Sequence, residues 1–152
     1  MNRFTLVVLA MAAAMPVYAG GVAEQKERAS VDDAAALAAT DIKDCGKKFT
    51  VTFDWKAYDA LDWAKMGRDK HEYLASEKSS LADLGKGIDR LCSDKDYRAA
   101  LVKIHSIVYR STNDESIRVK ATISGGTMTL SNYSFGSTRH ADDYETAAKA
   151  AL

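Results

Sequence analysis

Residues 39–55, ATDIKDCGKKFTVTFDW, change period midway, and that change decides the fold. Before Gly46, the apolar residues Ala34, Leu37, Ala38 and Ile42 fall at helical steps. After it, Phe49, Val51, Phe53 and Trp55 alternate with Thr50, Thr52 and Asp54, which is the two-residue period of a half-buried strand. Ser30 followed by Asp33 predicts the N-cap of the first helix, and Gly46 predicts its C-cap. A helix therefore gives way to a strand within a few residues, with Cys45 at the joint.

Downstream, Leu81, Leu84, Ile88 and Leu91 mark one face of a long helix over 71–91 that closes at Cys92. Ser93 with Asp96 predicts the cap of a further helix whose face continues through Tyr97, Leu101 and Ile104. Strand patterning then returns in IHSIVYR (104–110), in SIRVKATIS (116–124) with Ile117, Val119, Ala121 and Ile123 on one face, and in TMTLSNY (127–133). Gly125-Gly126 between the last two runs is a hairpin signal, since both positions can take the positive φ of a tight primed turn. DDYETAAKAAL (142–152) predicts a short C-terminal helix. The expected fold is α+β: an antiparallel sheet of about four strands, with a helical insertion between strands 1 and 2 packed on one face.

Working back to the start, MNRFTLVVLAMAAAMPVYAGG (1–21) has one basic residue, Arg3, and an apolar run from Phe4 to Met15. Val17 and Ala19 flank a small-residue cleavage site, the pattern of a secretory signal peptide ending at residue 19. Residues 20–29 read as a flexible tether, and 30–152 as one exported domain. The expected location is the bacterial periplasm, with secretion to the medium as the other destination. No further apolar run is long enough to cross a membrane, so no insertion is expected after signal removal.

The chain's 21 basic and 21 acidic side chains balance, and losing Arg3 leaves a single net negative charge. That excludes the basic footprint of a nucleic-acid binder or an anionic-lipid binder. Two cysteines in an oxidising compartment allow one connectivity, Cys45 to Cys92, and their wide separation reads as a structural staple instead of a redox C-x-x-C pair.

Two stretches offer chemistry. DWKAYDALDW (54–63) gathers Trp55, Tyr58 and Trp63 with Asp54, Asp59 and Asp62. Aromatic planes beside carboxylates suit a binding surface that could hold a glycan, with Trp55, Tyr58, Asp59 and Asp62 as its members and Tyr58 the aromatic expected outermost. Large aromatics are highly buried on average, and core packing of Trp55 and Trp63 is the favoured reading. STRHADDYE (137–145) brings Ser137, His140, Asp142 and Asp143 close in sequence, a weak hydrolase or metal pattern to which His71 and Glu72 could contribute. It lacks both a nucleophile elbow and His-rich ligand spacing, and its acids also suit the first turn of a helix. Asn132-Tyr133-Ser134 is formally a glycosylation sequon. No motif calls for a cofactor. The functional expectation is a catalytically silent protein, of inhibitor, immunity or accessory type, whose partner is another envelope or secreted protein. The alternative is a small metal- or carboxylate-dependent hydrolase acting on cell-wall material.

Overall fold

The computed structural model describes residues 21–133 and 138–152. The element order is α1 (Val22–Asp41), β1 (Thr50–Phe53), α2 (Trp55–Asp59), α3 (Trp63–Met66), α4 (Lys70–Ser93), α5 (Lys95–Leu101), β2 (Ser106–Ser111), β3 (Val119–Ser124), β4 (Thr127–Asn132) and α6 (Ala141–Ala151). The four strands lie in the order β1-β2-β4-β3. Helices α1, α4 and α6 form a layer on one face, with α4 between the other two, α1 against β1 and α6 against β3.

The sheet is mixed and mostly parallel, which corrects the antiparallel expectation. β1 pairs parallel with β2 and β2 parallel with β4, while β3 pairs antiparallel with β4. The helical insertion acts as a crossover and returns the chain to the same end of the sheet, so β1 and β2 run together. The loop after β2 skips one strand position and β4 folds back into the gap, making β2 and β4 parallel too. Only the β3–β4 hairpin is local, and its Gly125 and Gly126 take φ values of 55° and 76° as the turn requires.

Two helix boundaries also differ. α1 begins at Val22, so most of the expected tether 20–29 is helical and the expected N-cap Ser30 lies mid-helix. That extension is held from outside: Arg28 reaches Asp59 and its guanidinium stacks over Trp55. α4 runs through Cys92 to Ser93, and Asp94 caps α5 instead of Ser93, accepting from the Asp96 amide at 2.9 Å. The Cys45–Cys92 disulfide is present, tying the loop after α1 to the last turn of α4.

The core lies between the layers. Val51, Phe53, Ile107, Tyr109, Met128 and Leu130 face the helices and are buried, as are Leu74, Leu81, Leu84, Ile88 and Leu91 along α4. No described helix is long and apolar enough to cross a membrane.

Candidate functional site

The alternation that buries one face of the sheet sets the chemistry of the other. Side chains two apart share a face. Opposite the core, the register therefore aligns Thr50, Ser106, Thr127 and Ser124 in one row, Thr52, Val108, Thr129 and Thr122 in the next, and Arg110, Ser131 and Lys120 in a third. Every one of these residues is exposed or half-exposed. The result is a plate of hydroxyls and methyls with a single apolar side chain, Val108, near its centre. Arg110 is held by Asp54 at 2.8 Å, which leaves Lys120 as the other charge on the plate. Sheets dominated by parallel strands are usually covered on both faces, whereas among the described residues the α1, α4 and α6 layer covers one face of this sheet.

The aromatic residues of 54–63 are not gathered on a surface. Tyr58 is fully buried at 0% exposure, contrary to its expected outer position, while Trp55 and Trp63 are half-buried. The chain folds this way because Asp54 caps α2, accepting from the Ala57 amide at 3.0 Å, and the short helix turns Tyr58 inward. Ring contacts then run from Trp63 through Tyr58 to Phe53 and Tyr109. Arg28 covers the Trp55 ring at 4.7 Å and bonds both Glu24 and Asp59, and the Trp55 indole donates to Asp32 at 2.9 Å. Trp55 thus borders a cleft of about 250 Å³ that Gln25, Arg28, Ala29 and Asp32 complete, with the aromatic plane already occupied by the guanidinium. Asp62 faces elsewhere, into a polar cleft of about 190 Å³ with Lys65, Asn113, Glu115 and Tyr133, and its amide donates to Asn113 Oδ1 at 2.9 Å. Of the four residues expected to form one surface, Tyr58 is in the core, Trp55 and Asp62 line separate clefts, and Asp59 is paired with Arg28.

His140, Asp142 and Asp143 are also apart in function. Asp143 caps α6, accepting from the His140 amide at 3.1 Å, and bonds Arg118 at 2.7 Å. Arg118 holds the Asp143 carboxyl below the usual carboxylate range. Asp142 pairs with Arg90, and His140 faces Asp83 at 3.7 Å. His71 instead faces Glu27 at 3.2 Å, and Glu72 is exposed beside it in the first turn of α4. Among the described residues no three His, Cys, Asp or Glu side chains are grouped to hold a metal. Ser137 lies outside the described residues.

Sequence reasoning missed a buried polar chain at the carboxyl ends of β2 and β4. Asn132, fully buried, donates to the Tyr109 hydroxyl and accepts from Arg139 Nε at 3.0 Å. Burial, then Glu77 on α4, pushes the Tyr109 phenol well above its usual range. Glu77 is itself at 0% exposure. Its signal was available: it occupies a position on the α4 stripe between Leu74 and Leu81 where a leucine would fit. The burial of Asn132 also withdraws the sequon's asparagine from the surface; Ser134 lies outside the described residues. No protein-family model, curated protein or solved structure matches this chain.

Proposed function

We propose that this chain is an exported, disulfide-stapled binding protein of the bacterial envelope that engages another protein through the open face of its sheet. The observation that carries the reading is the plate of Thr52, Thr122, Thr129 and their neighbours around Val108, set opposite the helical layer. The export part rests on the signal-like 1–19 segment and on the Cys45–Cys92 disulfide, a bond that persists in oxidising compartments. Threonine side chains in a pleated sheet are stiff, so a partner meets a surface with little side-chain entropy left to lose. A protein partner suits the plate better than a glycan, because none of the strand residues aligned on that face offers an aromatic plane for a sugar ring to stack on.

The test places a photo-crosslinking residue at Thr129, in the middle of the plate, and in a second protein at Lys86, exposed on α4. In intact envelopes the Thr129 position should yield one discrete protein adduct that the Lys86 position does not. Adding Thr52→Arg and Thr122→Arg beside it should abolish that adduct. Equal labelling from both positions, or an adduct that survives the two arginines, overturns the reading.

A further inference from the structure

The two edges of the sheet differ. β1 is four residues long and α1 packs along it. β3 is six residues long, and among the described residues no strand pairs with its outer edge. Exposed edges are usually blunted by proline, bulges or inward-pointing charge, because free amides and carbonyls template pairing with another chain. β3 carries one charge, Lys120, on its outer face, and no charge, proline or bulge on its helix-facing side, where Val119, Ala121 and Ile123 stand and Ile123 is left 38% exposed.

The hairpin sets which backbone groups are free. A two-residue turn places a hydrogen-bonded pair next to it, here Ser124 with Thr127, and antiparallel pairs alternate from there. Thr122 and Lys120 therefore bond β4, while the amides and carbonyls of Val119, Ala121 and Ile123 point outward. Beside that edge runs a groove of about 290 Å³, lined by Val119 and by Thr146, Ala147 and Ala150 of α6, with the Arg118–Asp143 ion pair at one end.

We infer that β3 pairs antiparallel with β3 of a second copy about a two-fold axis at Ala121. This register sets Ala121 against Ala121 and Val119 against Ile123 of the other copy, so all three outward-facing residues of each strand find partners. It also lowers each exposed Ile123 into the groove beside Val119 and Ala147 on the opposite copy, a knob and a hole carried at the two ends of one strand. The neighbouring register centred on Lys120 would set two lysines directly opposite, which is unfavourable. Centred on Ala121, Lys120 meets Thr122. The contact is isologous and closes at two copies, and it joins the sheets into one of eight strands whose hydroxyl plates lie side by side. It does not depend on what that plate binds.

Sedimentation velocity of the oxidised protein across a concentration series should show a reversible monomer–dimer equilibrium, with Kd in the micromolar range expected of a small interface. Amide exchange at Ala121 should slow as concentration rises. Ala121→Pro removes an amide that β4 does not use, a substitution edge strands tolerate, and should weaken the dimer about tenfold or more while the circular dichroism is retained. Ile123→Lys should do the same without touching the backbone, and it decides the matter if the proline variant does not fold. A wild type that stays monomeric throughout the series, or a dimer that survives Ile123→Lys, overturns the inference.

Discussion

Gly85 of α4 lies against Ala38 of α1 so closely that a Cβ on the glycine would stand 2.8 Å from the Ala38 carbonyl oxygen. Two positions on, Gly87 meets the backbone of Ala141 and Glu145 on α6 in the same way. These glycines, poor helix formers in the middle of a long helix, let the three helices of the layer approach backbone to backbone. In an exposed helix Gly→Ala would stabilise by about 1 kcal/mol. Here the methyl must displace a neighbouring helix, so Gly85→Ala and Gly87→Ala are each expected to destabilise by about 1–3 kcal/mol in urea unfolding. A gain in stability from either would mean that the helices are spaced more widely than described.

The disulfide closes 47 positions, with 4.7 Å between the Cα atoms of Cys45 and Cys92. In the chain-entropy account a loop of that size contributes about 4 kcal/mol by restricting the unfolded state. The Cys45→Ala/Cys92→Ala protein should lose about that much, and reductant should then have no further effect on its unfolding midpoint. A loss well under 1 kcal/mol would place the stabilisation elsewhere in the helix layer.

Much of the fold was legible because its signals are local. The alternation at Phe49–Trp55 marks β1, the glycine pair marks the β3–β4 turn, and the leucine stripe marks α4. Strand direction was not legible, since it depends on β4 entering between β2 and β3, a pairing between distant segments. The start of α1 was missed because Gly21 provides no side-chain cap and the first turns are polar. The burial of Tyr58 is not legible because a five-residue helix is too short to show a buried face by period. The hydroxyl plate was present in the sequence as the polar half of each alternating strand, but a strand shows only that it has two faces. Which elements cover them is set by the whole chain.

Asp143 tests the pH dependence of the α6 cap. Its carboxyl is lowered by the Arg118 hydrogen bond, so its contribution is present above the unfolded aspartate range and is lost as pH falls through the lower folded value. At neutral pH, Asp143→Asn keeps an acceptor for the His140 amide but removes the charge facing Arg118, so it should cost up to about 1 kcal/mol, the range of a partly exposed ion pair. The gap between the two proteins should begin to close below about pH 4, the unfolded aspartate value, and vanish as pH falls through the lower folded value. A gap that stays constant down to acid unfolding would show that the charge plays no part.

The buried phenols give opposite expectations at two positions. The Tyr58 hydroxyl is buried with no hydrogen-bond partner among the described residues, whereas the Tyr109 hydroxyl receives the Asn132 amide. Leaving a buried polar group unpaired costs about 1–3 kcal/mol, so Tyr58→Phe should raise stability and Tyr109→Phe should lower it by about 1 kcal/mol. Burial first of all raises the pKa of both phenols, along with that of Tyr144. Each keeps its proton in the folded state at a pH where the unfolded chain has released it, so stability should fall as pH rises past about 10, the unfolded tyrosine value. Tyrosinate absorbance should accordingly appear together with loss of structure, and the alkaline slope of stability should be shallower in Tyr58→Phe than in wild type. If these phenols ionise well before the helices melt, they are reached by water in the folded protein, and the closed interface between α4 and the sheet is wrong at that point.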